Sequence, residues 1–377
     1  MQLAANGTIS DPEVALEISV GLERFCGMWT NEILPFIAAG GSELRFLEGA
    51  NGRGKTHMLR VLSKLAEDRG FLTCYTSGDA ETQPFESLEA TYQAIAKNLC
   101  WRSDGEAVIG LPRIIERLDR DQLREMRTSS HVVAPVRNLC RAYHWLLNDE
   151  SVSMQTKVDL KELLVGNKAH RVLFRDLFRR TANLPRPITK LGKRNAGQWL
   201  RSLLSIPLQL GFKGVVVFFD ETGADLLDRR KSRKKRQEHM ANLRNLIDYL
   251  AVGSLPGCAI LYGVTHNLLE LAAEDYPALA QRIERTDQAE MWNVREPNPR
   301  AVWTPLDELT HPTPPAKVFF ESLGHKIGRL AHEAGVLSKS EADIHRIVRT
   351  AVGRMAGSAQ DDSIRQFVKD VSSKLLN

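Results

Sequence analysis

Apolar residues follow two spacings along this chain, and the two alternate. Short unbroken or near-unbroken runs occur at Leu44-Arg45-Phe46-Leu47, Phe71-Leu72-Thr73-Cys74-Tyr75, Gly214 to Phe219, Cys258 to Val264 and Ala301-Val302-Trp303. They are too short for helices and predict five strands. The third run is apolar throughout, as in a central strand buried on both faces of a sheet. Between the strands, apolar residues recur at helical spacing: Met58, Leu59, Leu62 and Leu65 after the first, and Leu243, Leu246, Ile247 and Leu250 after the third. The same periodicity predicts helices over 85–99, 111–126, 135–148, 157–164, 170–181 and 195–210, with no strand between about 100 and 200. Three more follow over 316–334, 339–356 and 362–376, beyond the Pro-rich boundary His311-Pro312-Thr313-Pro314-Pro315. Near the start, Asp11-Pro12-Glu13 supplies an N-cap, a proline at the first helical position and an early acid. A helix carrying Phe25, Trp29, Ile33 and Phe36 is then ended by Gly40-Gly41, and residues 1–10 are expected to fray.

The turn between the first strand and its helix reads Gly49-Ala50-Asn51-Gly52-Arg53-Gly54-Lys55-Thr56 and fits G-x-x-x-x-G-K-[ST] in the strand–loop–helix context that the motif needs. Its glycines let backbone N–H groups turn inward on a phosphate, and the helix adds the positive end of its dipole. Lys55 would reach the β- and γ-phosphates of ATP, and the Thr56 hydroxyl would ligate Mg²⁺. The third strand ends in Asp220-Glu221, at the carboxyl edge where open α/β sheets bind ligands. There Asp220 would hold the metal shell and Glu221 would polarise the attacking water. The fourth ends in Thr265-His266-Asn267, where Thr265 or Asn267 either contacts the γ-phosphate or water, or simply forms a strand-end turn. Thr56 and Asp220 are 164 positions apart, far more than one crossover requires, so a helical subdomain is expected between them.

Composition narrows the field without deciding it. Charged residues make up 26% and hydrophobic ones 43% of the 377 residues, ordinary for a globular protein of two or three domains. No apolar stretch approaches the roughly 18 residues that span a bilayer, and no charged-then-apolar leader opens the chain, so a cytoplasmic protein without a membrane partner is expected. Five scattered cysteines without a C-x-x-C pair argue against a disulfide framework or a zinc site. The net charge is only +5, but seven cations fall within Arg229-Arg230-Lys231-Ser232-Arg233-Lys234-Lys235-Arg236. Such a run either lies exposed as a charged loop or neutralises the phosphates of DNA, giving affinity without sequence readout and a steep salt dependence. A looser group, Lys190, Lys193, Arg194 and Arg201, reads as a solvated face as readily as a second contact.

A phosphate loop, a strand ending Asp-Glu, a strand ending in a polar residue, an arginine-bearing helix and a terminal helical lid together resemble an AAA+ ATPase of the initiator-like branch. More closely, the chain resembles the BrxD-type ATP-binding proteins of BREX phage-defence systems. Val20-Gly21-Leu22-Glu23 is similar to that family's V-G-R-E box near the adenine, with Leu22 in place of the arginine; the stretches 46–56, 195–221 and 277–282 carry the rest. The resemblance implies an α/β fold: a P-loop core with a five-stranded parallel sheet flanked by helices, a large helical insertion and a C-terminal lid. The segments are 1–100 and 201–306 for the core, 101–200 for the insertion and 307–377 for the lid. It further implies nucleotide contacts at Val20 and Gly21, Thr265 at the sensor-1 position, Arg282 at the arginine-finger position with Arg285 as the alternative, and Arg365 at sensor 2. A finger acts on a neighbour's nucleotide, so a homo-oligomer follows, along with duplex DNA and other defence proteins such as a helicase or methyltransferase as partners. The expected activity is DNA-linked ATP hydrolysis; the alternative is a nucleotide-gated assembly module with slow or no turnover.

Overall fold

Val215 to Phe219 is apolar at five successive positions and forms a strand buried at every residue, as happens when both faces of a sheet are covered. The computed structural model describes residues 11–77, 86–103, 105–125, 130–167, 189–220, 230–265, 268–283, 302–306, 316–335, 339–355 and 363–376. In chain order the elements begin with α1 (Pro12–Ile18) and α2 (Glu23–Met28), which passes through a π-helical turn at Trp29–Ile33 into α3 (Leu34–Ala38). Next come β1 (Ser42–Glu48), α4 (Lys55–Glu67), β2 (Leu72–Ser77), α5 (Leu88–Asn98), β3 (Leu99–Ser103) and β4 (Glu106–Ile109). The helices α6 (Leu111–Arg117), α7 (Arg120–Glu125), α8 (Ala134–Leu147), α9 (Met154–Leu164) and α10 (Ala196–Gln209) precede β5 (Val215–Asp220). Then follow α11 (Arg233–Ala251), β6 (Cys258–Val264), α12 (Leu268–Asp275), α13 (Pro277–Ile283) and β7 (Trp303–Pro305). Last are α14 (Ala316–Glu333), α15 (Glu341–Met355) and α16 (Ser363–Leu376).

The strands form one sheet in the order β4-β3-β2-β5-β6-β1-β7. The five from β2 to β7 are parallel neighbours, and β3 and β4 add an antiparallel hairpin beyond β2. The sheet therefore has seven strands, and the expectations of five strands and of none between about 100 and 200 are corrected. The hairpin escaped because its apolar runs, Leu99-Cys100-Trp101 and Ala107-Val108-Ile109, are short, Leu99 also continues the helical pattern over 85–99, and most of its residues are at least partly exposed. Strand β3 also runs across position 100, where the first domain boundary was expected.

Alternation within the parallel strands assigns the two faces. On one, Phe46 stacks on Tyr262 at 5.3 Å and on Trp303 at 4.7 Å, and Phe219 stacks on Tyr262 at 5.2 Å. Helices α5, α6 and α8 to α11 add buried residues such as Tyr92, Trp199 and Leu243 to this cluster, so the inserted helices share the sheet's core. On the other face Leu47, Phe218 and Leu261 meet Met58, Leu59 and Leu62 of α4 and Phe25 and Trp29. The terminal helices have a core of their own, built from Phe319, Leu323, Ile327, Val348, Phe367 and Val371, and Ile18 of α1 joins it. Gly324 and Gly328 lie one turn apart on α14, and a Cβ there would come within 2.7 Å of Val348 and 2.4 Å of Ile344. Bare backbone is what lets α15 approach so closely.

Other boundaries shift. Helix α11 starts at Arg233, ten residues before the first apolar position that marked it, Leu243; the helix expected over 111–126 breaks at Leu118, which is extended (ψ 150°); and β7 begins at Trp303. The expected helix over 170–181 and the Pro-rich boundary lie outside the described residues. Among the described residues, no helix is long and apolar enough to cross a membrane.

Candidate functional site

Because β6 lies between β1 and β5, the turn that follows β1 and the last residue of β5, Asp220, flank the end of β6. The turn after β1 is tied to β6 at its first residue, where the Gly49 N–H donates to the Val264 carbonyl at 3.1 Å. Within it Gly52 (φ 80°) and Gly54 (φ 93°) take left-handed backbone, which costs any other residue roughly 1 kcal/mol or more. Gly54 occupies the N-cap position of α4, and Lys55 is that helix's first residue. The Lys55 side chain is only 9% exposed. Its ammonium donates to the carbonyls of Gly49 at 2.8 Å and Ala50 at 2.9 Å.

Across the gap, Thr56 Oγ1 donates to Asp220 Oδ2 at 2.7 Å, so the helix after the loop and the end of β5 meet as anticipated. Asp220 is 4% exposed, and the strand between it and the loop leaves it room. A Cβ at Gly263 of β6 would lie 3.1 Å from Asp220 Oδ1 and 3.3 Å from Leu59. Tyr75, from the neighbouring β2, also donates its hydroxyl to Asp220 Oδ2. Burial, and secondly the Asp220 charge, push the Tyr75 phenol far above its usual range, so it stays protonated. The Arg60 guanidinium lies over the Tyr75 ring, 3.3 Å from its centre. Tyr75 and Arg60 were not anticipated from sequence. The motif marks Thr56, and Arg60 four residues later shares its helix face, but only strand register reveals Tyr75 beside Asp220 (Ser77 pairs with Asp220).

The other sequence-derived residues scatter around this centre. Thr265 follows β6 directly and is half-buried; its carbonyl accepts from the Leu268 N–H at 3.3 Å, opening α12. Val20 and Gly21 (φ 76°) lie between α1 and α2. Val20 packs on the core of the terminal helices, whereas Leu22 is buried with Phe25 and Met28 under the sheet. The residue at the position where the similar box has arginine is thus a buried apolar one. Next to it, Ser19 Oγ meets His57 Nε2 at 2.9 Å, and Lys326 of α14 donates to the Ser19 carbonyl. Burial, and then Lys326, lower the His57 pKa to about 4. Arg282 is on the surface of α13, paired with Asp248 at 2.9 Å; Arg365 is half-buried near the start of α16. Glu221, Arg229, His266, Asn267 and Arg285 lie outside the described residues.

The basic run is partly helix rather than loop, which corrects the sequence reading. Ser232 caps α11, accepting from the Lys235 N–H at 3.3 Å, so Arg233, Lys234, Lys235 and Arg236 form its first turn. Lys and Arg are good helix formers, and acids from elsewhere offset their charge. Asp275 pairs with Arg236 at 2.5 Å and Arg233 at 3.6 Å, and Glu86 with Lys235 at 2.9 Å. Arg230, Arg233 and Lys234 are exposed and Lys231 is half-buried. Of the second basic group, Lys190, Lys193 and Arg194 are exposed, and Arg201 lies 5.0 Å over the Tyr249 ring.

All five cysteines are free, and burial raises the thiols of Cys26 to about 11 and Cys140 to about 12, too high for thiolate chemistry. Among the described residues no cluster of three or more His, Cys, Asp or Glu side chains could hold a metal ion by itself. The Thr56 hydroxyl and the Asp220 carboxylate are hard oxygen donors of the kind Mg²⁺ takes when phosphates and water complete its shell.

Comparison with known proteins gives one match. The family model described as "BREX system ATP-binding protein BrxC/D" aligns with residues 5–137 and 178–377. No curated protein and no solved structure matches the chain.

Proposed function

The chain belongs to the BREX system ATP-binding proteins of the BrxC/D family, whose role is ATP binding in phage defence, and on that footing we propose that it hydrolyses Mg·ATP at the turn over residues 49–56. The observation that carries this is the Thr56–Asp220 hydrogen bond, joining residues 164 positions apart at the carboxyl edge of the sheet. Loop N–H groups and Lys55 take the phosphates, and Thr56 and Asp220 hold the metal. Bound Mg²⁺ would neutralise charge developing on the phosphates. Glu221, next along the chain, polarises the attacking water, and Thr265 orients it from the strand in between. The sheet order supports an AAA+ arrangement, because the strand leading to Thr265 separates the loop strand from the acidic one. Residues 307–377 act as the lid, and the segment between the β3–β4 hairpin and residue 200 as a helical insertion whose described helices share the sheet's core.

Arg282 lies on the surface, where it can reach a neighbouring subunit's nucleotide, with Arg285 as the other candidate finger and Arg365 as sensor 2. Arg230, Lys231, Arg233 and Lys234 contact DNA phosphates. A cationic first turn is unfavourable against its own helix dipole, and a polyanion relieves that cost. A second reading, ATP-gated assembly with slow turnover, is favoured by one contact: Lys326 of α14 holds the Ser19 backbone, and Ser19 meets His57 directly after Thr56.

Single-turnover hydrolysis with and without duplex DNA separates the two readings. Stimulation by DNA is expected for the first and an unchanged rate for the second. Heat on mixing with Mg·ATP is expected for both, and its absence would remove both.

A further inference from the structure

We infer that Tyr75 is a positioning residue that locks the Asp220 carboxylate for its work on the metal ion, with Arg60 pinning the Tyr75 ring. The inference rests on the Mg·ATP reading of the loop and adds to it two side chains that no motif marks. Thr56 and Tyr75 both donate to Asp220 Oδ2, but the two hydroxyls differ in what else they must do. Thr56 belongs to the loop helix and must offer its oxygen to the metal, so its geometry changes as ligand arrives. Tyr75 has no such second duty. It projects from β2, a strand in continuous parallel register with β5 from Leu72 to Ser77, and its ring is held under the Arg60 guanidinium at 3.3 Å. Two donors on one oxygen define the plane of a carboxylate where one donor leaves it free to rotate. A rigid donor on a metal-binding carboxylate is an outer-shell contact of the kind that tunes metal affinity.

The placement of Arg60 strengthens the inference. It sits one turn after Thr56 on the same face of α4, so the helix that carries the metal-binding hydroxyl also carries the group that fixes the second donor. Its charge over the ring face is favourable and draws electron density from the phenol, which makes the hydroxyl a better donor.

The test measures binding of a fluorescent ATP analogue to the full chain, first in chelator and then with rising Mg²⁺, for the native protein, Tyr75→Phe and Arg60→Met. Phenylalanine keeps the ring and its contact with Arg60 and removes only the hydroxyl. Expected is a rise of roughly tenfold or more in the Mg²⁺ concentration giving half-maximal tightening for Tyr75→Phe. Binding in chelator should stay within about twofold, because hydrogen bonds to the phosphates are untouched. Arg60→Met should shift the Mg²⁺ midpoint the same way by less. An unchanged midpoint in Tyr75→Phe, with Asp220→Asn abolishing the Mg²⁺ effect, overturns the role of Tyr75 and leaves the nucleotide site standing. Equal weakening with and without Mg²⁺ reveals a packing role and also overturns it. A native chain that binds no ATP in either condition overturns the underlying reading as well.

Discussion

The sheet edge at Asp220 and the basic turn at Arg233 both collect charge, by opposite means. At Asp220 one carboxylate, 4% exposed, is served by hydroxyls from α4 and β2, and the three residues come from far apart in the chain. At Arg233 many charges adjacent in sequence share one exposed helix turn, two acids from other elements offset part of them, and water screens the remainder. Burial makes each hydrogen bond at the first place worth more, since a stranded polar group there costs about 1–3 kcal/mol. Exposure makes the pairings at the second worth little one by one, about 0–1 kcal/mol per surface ion pair. Concentrated sequence charge is thus a poor guide to where a fold has concentrated electrostatic energy.

The largest effects should come from the buried side. Asp220→Asn and Lys55→Ala are each expected to lower the rate of phosphate release from Mg·ATP by about 100-fold or more. Glu221→Gln should do the same while leaving ATP binding intact, and a normal rate in that variant would remove it as the water-polarising group. Next comes the exposed side, where only collective change should register. Neutralising Arg230, Lys231, Arg233 and Lys234 together should flatten the dependence of log K on log salt by up to about 0.9 for each duplex phosphate that is no longer neutralised. The check is DNA binding at several salt concentrations, and an unchanged slope moves the DNA-binding surface elsewhere. The comparison sharpens with Asp275→Asn, which releases Arg233 and Arg236 from their acid. DNA affinity should rise by about two- to fivefold at low salt, in line with the small worth of such ion pairs.

A separate effect, on stability rather than on activity or DNA binding, is a pH dependence. His57 is held neutral in the fold, its pKa lowered from 6.5 to about 4 by burial and then by Lys326. Between those values the unfolded chain binds the proton more readily than the folded one, so this residue makes the fold less stable as pH falls from 6.5 towards 4. At higher pH both states are neutral at this ring and it has no effect on pH dependence. Melting curves across that window should decline less steeply in His57→Gln; equal slopes would show that another group sets them.

Sequence legibility follows the same divide. The strands of the parallel core are readable because Val215 to Phe219 and Cys258 to Val264 are apolar at nearly every position, and the loop is readable because G-x-x-x-x-G-K-T needs its residues contiguous. The β3–β4 hairpin has only three-residue apolar runs, yet a further signal for it exists: Asp104-Gly105 stands between Ser103 and Glu106, which pair across the strands, and Asp-Gly is a strong two-residue hairpin cue. The start of α11 is hidden because the mutual repulsion of its cations is visible in sequence, whereas the distant Asp275 and Glu86 that offset it are not. Tyr75 and Arg60 are out of reach for a related cause, since each acts on a partner that only strand register brings near.

Ile18 packs among the last three helices, while Leu22, four residues on, is fixed beneath the sheet. The short stretch in between, with its left-handed Gly21, is therefore a strap anchored to two separate bodies. Any swing of the terminal helices must tug on it, and through Ser19 and His57 the pull arrives at the first turn of α4. A rotation of α14 to α16 would therefore be felt at the helix that opens on Lys55 and Thr56.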